Sequence, residues 1–99
     1  MKALRLTHPG IILRTEFIEA NDLSVYRVAK DTGIPQPSLA QIVSGRRPIS
    51  PENALRLGLY FGIDAEFWTN LQAHYDLRQA RRERAAAIER AVTPLAKAA

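Results

Sequence analysis

Cysteine is absent from the 99 residues, tryptophan and methionine occur once each, and histidine occurs twice. Disulfides, thiolate chemistry and cysteine-ligated zinc are therefore excluded, and the composition is compatible with a reducing cytoplasm. His8 and His74 stand apart, neither with a second His or a ligand pair three or four residues away, and neither a Ser-His-acid set nor a glycine-rich phosphate loop is visible. No catalytic site, metal or cofactor is expected. His8 is better placed to help start a helix, and His74 to lie on the surface beside Tyr75. Long apolar runs are also missing, and none follows MKALRL. Neither a secretory signal nor a membrane span is expected, and the expected location is the cytoplasm.

Acidic charge is in short supply. Fourteen Lys and Arg face ten Asp and Glu, a formal net charge of +4, which favours an anionic partner. Eight basic against five acidic residues fall in 1–62, and six against five in 63–99. The excess thus lies mostly with the first of these parts. Ninety-nine residues suit one domain with a modest core.

Within that basic part, LSVYRVAKDTGIPQPSLAQIVSGRR, from Leu23 to Arg47, reads as two helices around a tight turn. Ser24 is a good N-cap, and Val25, Val28 and Ala29 share a face of the helix that follows. The small Ala29 permits close helix crossing. Gly33 suits a turn with positive φ, Ile34 returns to the core, and Pro35 and Pro37 suit the opening of a second helix near Gln36. Leu39, Ile42 and Val43 form its buried side. Gln36, Ser38, Ala40, Gln41 and Ser44 are left on the other face, which is polar with little charge. Amide side chains can pair bidentately with adenine, and Ala and Pro can pack on thymine methyls, so such a face suits a major groove. An ordinary helical hairpin is the plainer alternative.

The remainder frames this unit. Residues 1–8 read as a short strand or apolar arm through Leu4 and Leu6; residues 9–77 read as the core, and 78–99 as a helical extension. Pro9 opens a first helix, with Ile12, Leu13, Phe17 and Ile18 inward and an end near Ala20. Gly45 is placed for a left-handed helix end, and Ser50-Pro51-Glu52 is an N-cap, a first-position Pro and a first-turn acid. Ala54, Leu57 and Phe61, helped by Leu55, form the inner stripe of this fourth helix, which Gly62 closes. Asp64-Ala65-Glu66 repeats the cap-and-acid pattern before Phe67, Trp68, Leu71 and Tyr75. The Ala- and Arg-rich run beyond Leu77 carries the fifth helix to about Val92, before Thr93-Pro94. Arg78, Arg81, Arg82 and Arg84 suit either a solvated face or a partner contact, while Ala85, Ile88, Val92 and Leu95 have heptad-like spacing over too short a span to define a coiled coil.

Four pieces occur in order: His8-Pro9-Gly10, Tyr26-Arg27-Val28-Ala29-Lys30, Ser44-Gly45-Arg46-Arg47-Pro48-Ile49-Ser50-Pro51, and Phe61-Gly62 followed by Phe67-Trp68-Thr69-Asn70-Leu71-Gln72. Together they closely resemble the HigA-type antitoxins of the Xre helix-turn-helix superfamily, across about residues 7–77. Family members commonly carry Glu after His-Pro-Gly, whereas Ile11 stands there in this chain. The resemblance implies an all-α, five-helix, lambda-repressor-like domain that dimerises and represses its own operon at a palindromic double-stranded operator. It also implies a cognate HigB-type, messenger-RNA-cleaving toxin as partner. A stand-alone phage-type repressor is the alternative.

Base contacts are expected from Gln36 and Gln41, supported by Ser38 and Ser44. Phosphate contacts are expected from Tyr26, Arg27, Lys30, Arg46, Arg47 and the capped helix start at Ser50. With helices one to four committed to the core and to DNA, Tyr75, Leu77, Ala80 and Ile88 are expected at a homodimer interface.

Overall fold

The computed structural model describes residues 7–96. The arm around Leu4 and Leu6 lies outside them. Five helices follow in order, and no strand occurs among the described residues. The first, α1, is α-helical over Pro9–Ile12, π-helical over Leu13–Ile18 and ends in a 3-10 turn over Glu19–Asn21. Then come α2 (Val25–Thr32), α3 (Gln36–Val43), α4 (Pro51–Phe61) and α5 (Ala65–Ala91).

The π register is a departure from the regular α-helix that the spacing of apolar residues predicts. Glu19 N–H reaches back five residues to Arg14 O, and the two fully inward residues, Leu13 and Ile18, are also five apart. A π segment suits that spacing, because its hydrogen bonds run between residues five apart. Thr15 donates to Ile11 O, and Asn21 to Phe17 O, at 3.0 and 2.7 Å. Asp22 then reverses the chain at φ 55°, a left-handed conformation that Asp tolerates better than most residues.

Local chemistry sets the other boundaries. His8 Nδ1 accepts from Gly10 N at 2.8 Å and so starts α1. Ser24 and Ser50 accept from Arg27 N and Asn53 N, satisfying first-turn donors of α2 and α4. Asp64 precedes α5 without a side-chain cap. Gly33 adopts φ 79° at the end of α2, where Arg56 of α4 donates to Thr32 O at 2.9 Å. A cation from a different helix thus serves the electronegative end of α2.

Leu13, Ile18, Val28, Ile34, Leu39, Ile42, Ile49, Leu57 and Trp68 share one buried core. Phe17 packs its ring at a steep angle against those of Trp68 and Phe61, with centroids 4.8 and 5.3 Å apart. Leu55 departs from the expected inner stripe: it is 60% exposed, as Leu59 is 87% exposed, while Ala54 and Leu57 carry the buried side. α1 meets α3 at Gly10, where a Cβ would overlap the backbone of Ile42. The inner side of α3 is thereby held against α1.

Beyond about Leu77, α5 leaves the body. Its 27 residues give the molecule a long dimension of 57 Å against 27 and 25 Å across. Ala and Arg, both strong helix formers, sustain this projecting part. No helix among the described residues is long and apolar enough to cross a membrane.

Candidate nucleic-acid interface

At 100° per residue, the buried Leu39, Ile42 and Val43 define one side of α3. Gln36, Pro37, Ala40, Gln41 and Ser44 are exposed on the other. Ser38 lies between the two sides and is half-buried. Pro37 and Ala40 thus hold the middle of the open face, with Gln36 and Gln41 toward its edges. Glutamine reach on either side of small apolar groups is a surface shaped for base edges and thymine methyls.

Ser44 ends α3, and its hydroxyl donates to Gln41 O at 3.1 Å. Gly45 adopts φ 83°, with its N–H on Ile42 O and that of Arg46 on Gln41 O. This paired closure turns the chain back along the helix. Arg47 consequently lies over Gln41, whose Oε1 accepts from Arg47 Nε at 2.9 Å and from Nη2 at 2.8 Å. This pairing is not legible in the sequence, because it depends on the turn and not on helical spacing. Arg47 was expected on phosphate; its position couples it first to a proposed base reader.

Other cations frame the face. Arg46 is exposed, and Lys30 lines an open hollow with Tyr26, Ala29, Ile34 and Gln36, where α2 meets the start of α3. Tyr26 is 62% exposed. Arg27 instead pairs with Asp31 at 2.7 Å, and Asp31 accepts from Tyr60 Oη at 2.8 Å. The Tyr60 hydrogen bond and then Arg27 hold the Asp31 carboxyl below its ordinary range, while Asp31 pushes the Tyr60 phenol up. The charge of Arg27 is therefore partly spent within the chain, making it a weaker phosphate candidate than Lys30 or Arg46. Ser50 is half-buried with its Oγ committed to Asn53 N, leaving the start of α4 to contribute through backbone groups.

The loop carrying Arg46 and Arg47 is anchored from behind. Ile49 N donates to Oε1 of the buried Gln72 at 2.9 Å, and Gln72 Nε2 donates to Asp76 Oδ1 at 2.9 Å. Nearby, His8 meets Tyr75 edge to face, with centroids 4.9 Å apart. Burial lowers the His8 pKa, and Asp76 partly opposes that shift.

That contact divides the residues expected at a dimer interface. Tyr75 is half-buried against the body, roughly 160° around the helix from Leu77. Leu77 and Ile88 share one side, 52% and 46% exposed, and Ala80 is half-buried beside it. Tyr75 thus packs on the body, whereas Leu77, Ala80 and Ile88 lie together on the other side of α5.

Comparison with known proteins agrees with this geometry. The family model described as helix-turn-helix matches residues 16–68. Virulence-associated protein I of Dichelobacter nodosus is 40% identical over 77 residues, covering 78% of this chain and 71% of that protein. The Pseudomonas aeruginosa antitoxin HigA, solved with the higBA promoter, is 40% identical with a TM-score of 0.88, covering 93% of this chain and 100% of that one. An addiction module antidote protein of the HigA family from Coxiella burnetii is also 40% identical, with a TM-score of 0.85 and coverage of 92% and 99%. The chain belongs to the Xre-type helix-turn-helix family, and within it to the HigA-type antitoxins.

Proposed function

We propose that this protein is a transcriptional repressor that reads operator DNA with the exposed side of α3 and neutralises a cognate toxin as the antitoxin of a toxin-antitoxin module. The observation that carries the DNA reading is the open face Gln36, Pro37, Ala40, Gln41 and Ser44, flanked by Lys30, Arg46 and Arg47. Its relative HigA was solved with promoter DNA on a closely similar chain. Gln36 and Gln41 are the base readers, with Ser38 and Ser44 in support. Lys30, Arg46 and Tyr26 contact phosphate, with smaller contributions from Arg27 and the backbone at Ser50. Residues 9–77 act as the DNA-binding core and 78–99 as an extension. A homodimer through Leu77, Ala80 and Ile88 places two α3 helices on half-sites about one DNA turn, ~34 Å, apart. The chemistry is binding and not catalysis, and its place is the cytoplasm, where DNA and toxin are available.

Two assays test this. In a gel shift, the protein should retard a duplex taken from upstream of its reading frame more strongly than a scrambled duplex of equal length. Co-expression should restore growth to cells expressing the adjacent small reading frame. Retardation without rescue would leave a stand-alone repressor. Equal binding to both duplexes would overturn the sequence-specific reading.

A further inference from the structure

The pairing of Arg47 with Gln41 bears on which base the protein reads. A glutamine that reads adenine uses both ends of its amide: Nε2 donates to N7, and Oε1 accepts from the N6 amine. Here Oε1 already accepts from Arg47 Nε and Nη2 at 2.9 and 2.8 Å. Nε2 has no partner among the described residues and keeps its two hydrogens. Arg47 has spent two of its five donors and retains three, with no acceptor of its own. The exposed pair therefore offers hydrogen-bond donors alone.

We infer that Arg47 is a specificity-determining positioning residue: by occupying Oε1 of Gln41 it converts an adenine-reading amide into a donor-only unit that selects guanine. Guanine presents two adjacent acceptors in the major groove, N7 and O6, whereas adenine places an amine beside its N7. The amine would confront the donors of the pair. Thymine offers one acceptor, O4, and cytosine presents its amine. The left-handed Gly45 and the Arg46 N–H bond to Gln41 O turn the chain so that Arg47 reaches back to Gln41, and the Ile49–Gln72 bond anchors the loop that follows. The preference is thus a property of the fold after α3 as well as of α3.

This inference rests on the proposed DNA reading, and its test separates the two. The unmodified protein, Gln41→Ala and Arg47→Met are each used to select duplexes from a random library, with circular dichroism confirming that both variants fold. The unmodified protein should enrich a motif containing a guanine whose preference disappears in Gln41→Ala. Replacing that guanine by 7-deazaguanine should weaken binding by at least about fivefold. In Arg47→Met, which keeps the length of the stem but has no donors, Oε1 is released and the same position should change from guanine to adenine. A motif with adenine at the Gln41-dependent position in the unmodified protein would overturn the inference while leaving the DNA reading intact. So would a guanine preference unaltered by Arg47→Met, or a motif with no Gln41-dependent position. Failure to enrich any motif would overturn the DNA reading, and this inference with it.

Discussion

α3 and the distal part of α5 are helical for different reasons. α3 has eight residues with a proline at its second position and has little chance of standing alone. It exists because Leu39, Ile42 and Val43 are buried and α1 presses against it at Gly10. The distal part of α5 has the opposite character: its residues beyond Leu77 are mostly exposed, and its Ala and Arg content supplies helicity without a core. A helix held by tertiary contacts can be aimed accurately, as a base-reading surface must be. A helix sustained by propensity reaches outward, where it can meet a partner.

The largest effect should come from Gly10→Ala. Its new Cβ would displace the backbone of Ile42, so unfolding stability should fall by at least ~3 kcal/mol, read by urea denaturation. A loss below ~1 kcal/mol would mean that α3 does not depend on this close approach. Gln72→Leu should come next, because it keeps bulk but leaves Ile49 N buried without its acceptor, at a cost of ~1–3 kcal/mol. It should also loosen the loop bearing Arg46 and Arg47, visible as faster amide exchange at Ile49.

A smaller effect is tied to pH. Neutral His8 accepts from Gly10 N, and burial lowers its folded pKa below the ordinary 6.5. The folded state therefore binds this proton less readily than the unfolded state, and the His8 contribution is full above pH 6.5 and declines as pH falls through and below that value. His8→Asn retains a capping acceptor that does not titrate. Melting temperatures measured at pH 7.5 and 5.5 should differ less in this variant than in the parent; an equal difference would place the pH sensitivity elsewhere.

Truncation after Asp76 should change the body least. The remaining chain keeps the core and the Gln72–Asp76 bond, so it should still unfold cooperatively, having lost the helical signal of the extension. Light scattering should find it monomeric if Leu77, Ala80 and Ile88 form the two-fold contact. A persistent dimer would direct attention to the exposed Leu55 and Leu59 of α4.

Much of this division could be read from sequence. Ser24, Gly33, Pro37, Gly45, Ser50-Pro51 and Gly62 mark helix ends through local chemistry, and the spacing of Leu39, Ile42 and Val43 assigns the inner side of α3. What escaped depended on longer-range geometry. The π register of α1 follows from fitting Leu13 and Ile18 into one core, and helical periodicity alone gave Leu55 an inward role that Ala54 and Leu57 fill. Nor does the sequence show that Tyr75 packs edge to face on His8, a residue 67 positions earlier in the chain. In the candidate site, Gln36, Ala40, Gln41 and Ser44 stand on the open face of α3 as their spacing predicts, while Ser38 is half-buried and Pro37 is exposed there in its place; the partners of Arg27 and Arg47 are not legible in the sequence. One is shared with an α4 tyrosine, and the other is created by a turn.

On the proposed reading, α3 meets DNA through its glutamines while the rest of the chain supports it. The chain has four glutamines: Gln36 and Gln41 on α3, Gln72 in the core and Gln79 on the extension. Side-chain amide resonances of isotopically labelled protein can be followed as a duplex from upstream of the reading frame is added. Large shifts at Gln36 and Gln41, with Gln72 and Gln79 nearly still, are the predicted result. Shifts concentrated at Gln79, with Gln36 and Gln41 unmoved, would contradict it.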